Sequence, residues 1–225
     1  MAGELGAPFW ALGGLGAAAA AIYGLFYLRR RETLPRAALK ALFMVALTAA
    51  FQSIGAPWIV LLALSAAAVG DFMLAFDNKA ILPLGVLAFL ICQLAYLFFF
   101  WTHRETGAAL EPAVLRYGAM ALILATAIGF LVWMGPKLGP MAAAVIPYSI
   151  AISAMACAAL LLPWRGWPAM LGVASFLTSD FVLSAELFRL APNAPARRIT
   201  APIVWWTYVA AQLLIAWGVV RLLGL

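Results

Sequence analysis

Residues 57–74, PWIVLLALSAAAVGDFML, and residues 166–183, GWPAMLGVASFLTSDFVL, each carry a single aspartate, Asp71 or Asp180, late in an apolar run. An ionisable group at membrane depth is costly, so it marks a functional site by default. Aligned without a gap, 57–77 and 166–186 pair Trp58 with Trp167, Leu62 with Leu171, Asp71 with Asp180, Phe72 with Phe181 and Leu74 with Leu183, and set Asp77 opposite Glu186. Apolar helices resemble one another by chance, and the matched Trp and Asp therefore weigh more than the matched leucines. Two carboxyls related by a repeat suggest one shared site.

The rest of the chain fits that reading. It is 67% hydrophobic and 10% charged, against about 45–50% and about 25% for soluble domains, which makes it an integral membrane protein. The net charge of +6 sits in short loops between apolar runs, where the positive-inside effect explains it and nucleic acid is not needed. Cys92 and Cys157 fall inside apolar runs with no metal-ligand or redox spacing and read as small apolar residues. The single histidine, His103, lies in a loop, so neither a His-rich metal site nor a Ser-His-Asp triad within the membrane is expected.

A helix needs about 20 apolar residues to cross a core of about 30 Å. Pro, Gly and charge clusters divide the chain into spans near 9–28, 38–55, 58–76, 80–101, 114–134, 140–162, 167–187 and 202–223, as expected for an all-α protein of about eight transmembrane helices. A closed barrel would need short alternating segments instead. Glu4 precedes the first run and Arg29-Arg30-Arg31 follows it, the reverse of a cleavable signal, so this run should remain as a span. The expectation is one polytopic domain over 1–225, with pseudo-repeat halves of about 30–110 and 138–225.

With the loop after the first span inside, ten basic residues fall on the inner face (Arg29, Arg30, Arg31, Arg36, Lys40, Lys79, Lys137, Arg189, Arg197, Arg198). Four fall outside (Arg104, Arg116, Arg165, Arg221), which favours outward termini. Spans three and seven then both run inward, and the two four-helix halves share one orientation about an axis along the membrane normal. Asp71 lies fourteen residues past Pro57, about 21 Å along a helix, in the inner half of the membrane.

Two carboxyls that converge titrate as a unit, one proton held more tightly than the other, which suits one general acid and one general base. The alternative is structural, each Asp hydrogen-bonded to a neighbouring helix. Ala67, Ala68, Leu74 and Ala75, one turn from Asp71, are small enough for a helix or a lipid tail to approach. Gln93, Tyr96, Tyr148, Ser149, Ser153, Tyr208 and Gln212 lie inside spans, and Ser179 adjoins Asp180; these side chains either position a headgroup or join helices. Lys40 opens span two and either meets a phosphate or snorkels. Asp77, Lys79 and Glu186 read as solvated interface residues, and Trp101, Trp164, Trp167, Trp205 and Trp206 as an aromatic belt.

In its motifs the chain resembles the YhhN family of eight-span membrane proteins, which includes lysoplasmalogenases. The resemblance rests on Gly-Asp-x-x-Leu at Gly70, Asp71 and Leu74 and on Ser-Asp-x-x-Leu at Ser179, Asp180 and Leu183. Lys40, Gln93 to Tyr96, Tyr148 to Met155 and Tyr208 to Gln212 support it. It implies hydrolysis of the vinyl ether bond of a lysoplasmalogen to a fatty aldehyde and a glycerophospho-headgroup compound. Asp71 and Asp180 would be catalytic, and Lys40, Gln93, Tyr96, Tyr148, Ser179, Tyr208 and Gln212 would line the lysophospholipid site. It also implies no metal, no cofactor and a multi-pass place in a bacterial inner membrane, with membrane lipids around it. Two positions depart from the family pattern: Gln93 stands where His is common, and Ala41 follows the span-two lysine where Pro is frequent. Two other classes remain open on the residues alone, a proton-coupled transporter and a non-catalytic lipid-binding protein.

Overall fold

The computed structural model describes residues 5–76, 78, 80–106, 112–191 and 194–225. Asp77 and Lys79, read above as interface residues, and Glu4 lie outside the described residues. The described residues form helices and no strand. In chain order the α-helices are α1 (Ala7–Ile22), α2 (Leu34–Ser53), α3 (Trp58–Met73), α4 (Leu82–Thr102), α5 (Ala113–Leu138), α6 (Ala142–Leu160), α7 (Trp167–Arg189) and α8 (Arg197–Leu223). A π-helical turn, Tyr23–Tyr27, continues α1, and a tight helical turn, Gly139–Met141, links α5 to α6. The chain divides into two compact units, Met1–Phe99 and Phe100–Leu225.

Six stretches are long and apolar enough to cross a membrane, so the chain is an all-α membrane protein. α3, at 16 residues, is shorter than those stretches. α5 and α6 run together in one stretch of 48 residues. Val114, Leu122, Ile128 and Val132 of α5 are all exposed, the pattern of a helix whose surface is matched to hydrocarbon rather than water.

Local chemistry sets the helix ends. Thr33 accepts from the backbone N–H of Arg36 with Pro35 in the first turn of α2, an N-cap with the favoured proline. Gly55 takes φ +67 in the short turn that reverses the chain into α3, a conformation open to a residue without a Cβ. α8 starts at Arg197, five residues ahead of the expected 202. Pro202 sits inside the helix; a proline so near the N-terminus forfeits only one early hydrogen bond, so it does not set the boundary. α5 likewise runs on through Pro136 to Leu138.

Within the first unit α2 packs on both α1 and α3, and within the second α7 packs closely on α8. The approach is through small residues. A Cβ on Gly172 would fall 2.7 Å from the Ile215 backbone nitrogen, and one on Gly218 would fall 2.5 Å from that of Ala169. Backbone contact of this kind is how membrane helices associate where lipid removes the hydrophobic driving force.

Candidate functional site

In the first unit Asp71 is 1% exposed, and its Oδ1 lies 3.4 Å from Lys40 Nζ. The lysine therefore turns inward and does not snorkel. Arg36, one turn before it on α2, donates through Nη1 to Ala75 O at 2.8 Å, through Nε to Tyr27 O at 3.1 Å and through Nη2 to Leu28 O at 3.3 Å. Its guanidinium lies 5.5 Å from the ring centre of the buried Tyr23. These carbonyls lie past the C-terminal ends of α1 and α3, where a cation binds them and matches the helix dipole. Arg36 thus ties both ends to α2 and holds Lys40 beside Asp71.

Gly70 has a steric reason to precede that aspartate: a Cβ there would fall 2.6 Å from the Phe89 ring. Ala67, Ala68 and Ala75 are buried. Protein covers this small-residue face, so it gives no opening to a lipid tail. Gln93 and Tyr96, on α4, are also buried.

In the second unit the Tyr148 hydroxyl donates to Asp180 Oδ2 at 2.5 Å, with Asp180 half-buried. Pro147 precedes the tyrosine inside α6, where it removes an intrahelical bond and fixes φ beside Tyr148. Ser179 donates to Val204 O at 2.9 Å and Ser175 to Thr207 O at 2.8 Å, tying α7 to α8. Phe181, next to Asp180, stacks on Trp133 at 5.9 Å and 13°. These contacts fix the rotation of α7 and with it the direction of Asp180. Tyr208 and Gln212 are buried on α8, Tyr208 edge-on to Phe176 at 5.9 Å. Ser149 and Ser153 bond back to the carbonyls of Val145 and Ser149, so these hydroxyls serve their own helix.

The two units repeat one arrangement. Lys40 and Tyr148 are each the seventh residue of their helix, α2 or α6. Asp71 and Asp180 are each the fourteenth of the next helix, α3 or α7. Each aspartate thus takes its partner from the same place on the preceding helix, once an ammonium and once a phenol.

Three polar residues matter in ways their sequence positions hid. Glu186 is buried rather than solvated: it accepts from the Thr200 hydroxyl, and its backbone carbonyl accepts from Arg197 Nη2 at 2.8 Å. Arg116 is 5% exposed and donates to the carbonyls of Leu160 and Leu162 at 2.9 and 2.6 Å, closing the C-terminal end of α6. Arg36 gave only a topology signal. All three bond across a turn or between helices, which linear spacing does not encode. Trp205 also leaves the expected belt, being buried against Tyr208, whereas Trp101, Trp164 and Trp206 are exposed. Among the described residues no three His, Cys, Asp or Glu side chains group as metal ligands.

Apolar helices long enough to cross a membrane, with a carboxyl held at the same helical position in each unit, define a polytopic membrane protein with one aspartate centre per unit. Residues 35–219 match the YhhN family, and the chain belongs to that family. It is 35% identical over 161 residues to a protein of Mycobacterium bovis and to one of Mycobacterium tuberculosis, each named lysoplasmalogenase. The match covers 69% of this chain and 58% of each relative, so the chain spans less than two thirds of their length. No solved structure gives a significant match.

Proposed function

We propose that the protein is a membrane hydrolase that cleaves the vinyl ether bond of a lysoplasmalogen by acid–base catalysis with Asp71 and Asp180. The observation that carries this reading is the repeated pairing itself, in which each aspartate meets a proton-bearing side chain, Lys40 or Tyr148, from the preceding helix. The activity named for the mycobacterial relatives supplies the substrate class.

Vinyl ether hydrolysis needs a proton delivered to the outer alkene carbon and water delivered to the oxocarbenium carbon beside the ether oxygen. Paired carboxyls perform the equivalent steps at glycosidic bonds. One carboxyl gives its proton to carbon and the C=C π pair forms the new C–H bond. The other takes a proton from water as its oxygen adds, giving a hemiacetal. Collapse breaks the C–O bond to glycerol: the hemiacetal proton returns to the first carboxylate, the second protonates the departing oxygen, and both groups are restored. Lys40, Gln93, Tyr96, Tyr148, Ser179, Tyr208 and Gln212 are the proposed lining. We further propose eight crossings, with α5 and α6 crossing separately and both termini outside in a bacterial inner membrane.

α3 and α7 carry no internal proline, which favours fixed carboxyls over the broken helices of transporters. The test is aldehyde release from lysoplasmalogen by detergent-purified protein beside Asp71→Asn and Asp180→Asn variants of matched thermal stability. Release by the native protein and its loss in both variants is expected. Full activity in either variant refutes the two-carboxyl mechanism. No release by folded native protein refutes the substrate, and proton flux in liposomes then tests transport.

A further inference from the structure

Within the second unit, an exposed side of the α7–α8 pair holds a groove of about 380 Å³ lined by Ser175, Pro202, Ile203, Trp206, Thr207 and Ala210. We propose that this groove seats an acyl chain of an anionic phospholipid whose phosphate is bound by Arg198. The site is separate from Asp180 and goes beyond the lysoplasmalogen reading. Ser175 and Asp180 stand five residues apart on α7, which turns them about 140° from each other around the helix axis. Asp180 meets Tyr148 of α6, whereas Ser175 donates to Thr207 O of α8 at 2.8 Å. The groove therefore opens on another side of α7 from the carboxyl.

Two hydroxyls line the groove without making it polar. Ser175 is spent on the Thr207 carbonyl, and Thr207 donates to Ile203 O at 2.6 Å. Pro202 has no N–H to offer. Ile203 and Trp206 are 39% and 40% exposed, so an acyl chain laid here meets aliphatic and aromatic walls. Charge selects the lipid. α8 is 27 residues long, about 40 Å against a hydrocarbon core of about 30 Å, so its first turn reaches headgroup level. That turn carries Arg197 and Arg198 and no acidic residue. Glu186 is buried and accepts from Thr200, so its charge is not offered at the surface. Arg197 is held by the carbonyls of Ala191 and Glu186, and Arg198 is exposed. Arg198, Pro202 and Trp206 follow one another at four-residue spacing along one side of α8. From Arg198 to Ala210 is about 18 Å along the axis, close to the depth of one leaflet. A guanidinium has five N–H donors and binds a phosphate through two of them, whereas an ammonium headgroup would find no carboxylate in that turn.

The test uses lipids brominated on their acyl chains, which quench nearby tryptophans. Native protein and Trp206→Phe are reconstituted in phosphatidylcholine vesicles, and the emission that Trp206→Phe removes is followed. Brominated phosphatidylglycerol should quench that component with an affinity about fivefold above brominated phosphatidylcholine, the weight of one arginine at an anionic headgroup. Arg198→Gln should keep the quenching and lose the preference. Equal quenching by both lipids in the native protein overturns the site and leaves ordinary boundary lipid. Absence of quenching overturns it too, because the groove is then covered by protein. Relief of quenching by an equal amount of lysophospholipid hands the groove to the substrate and is equally fatal. If Trp206→Phe folds poorly, native mass spectra serve instead: phosphatidylglycerol should be retained by the native protein and lost in Arg198→Gln, and equal retention refutes the site. None of these readouts uses aldehyde release, so failure of the lysoplasmalogen reading leaves them untouched.

Discussion

Replacing Lys40 by methionine keeps most of the side-chain volume and removes the charge facing Asp71. The groups lie 3.4 Å apart, with side-chain exposures of 14% and 1%. At an effective dielectric of about 20 the attraction at that distance is about 5 kcal/mol. Most of it offsets the desolvation of the two ions, so the pair's net worth against an apolar replacement is small. Removing one partner is another matter, because the remaining charge stays buried; the expected loss is about 3–5 kcal/mol. Lys40→Met and Asp71→Asn should each lose stability of that order. The double variant, with no ion left over, should lose much less than the sum, giving a coupling of about 2 kcal/mol or more. Reversible unfolding of the protein in mixed micelles measures all four corners of the cycle and needs no substrate. Additive losses, or a Lys40→Met variant as stable as the native protein, would refute the ion pair and the ordering of Arg36 around it.

Other outcomes follow from the helix contacts. Gly218→Ala drives a methyl into the backbone of Ala169, 2.5 Å from its nitrogen, and should cost about 1–3 kcal/mol by overpacking. Gly135→Ala, with no atom within 4 Å of the new Cβ, should be neutral or stabilising by up to about 1 kcal/mol. Equal effects of the two on thermal unfolding would refute the close α7–α8 approach. Arg116→Ala frees the carbonyls of Leu160 and Leu162. Since bonds to a charged donor are worth about 1.5–3 kcal/mol each, unfolding should become easier by at least that much, and hydrogen exchange should rise first in the last turn of α6.

Most helix positions were legible because the signal is local. In hydrocarbon the backbone must satisfy itself, so a run of apolar residues between Pro, Gly and charge is a helix, and seven of the eight expected starts fall within four residues of those observed. The start of α8 misled because Pro202 looks like a boundary and is not one. Glu186 misled for a different reason: its partners Thr200 and Arg197 are reached only after the chain turns back from α7 into α8.

Composition and periodicity by themselves determined the membrane class and the order of the helices, since both depend on hydropathy along the chain. Tertiary structure alone decided that Asp71 meets an ammonium and Asp180 a phenol. Helices that are apolar on every side carry no amphipathic stripe to say which face turns inward. Their rotation is set by where glycines admit a neighbouring backbone and where Arg36, Ser179 and Phe181 bind across helices, and that rotation chooses the partner of each carboxyl.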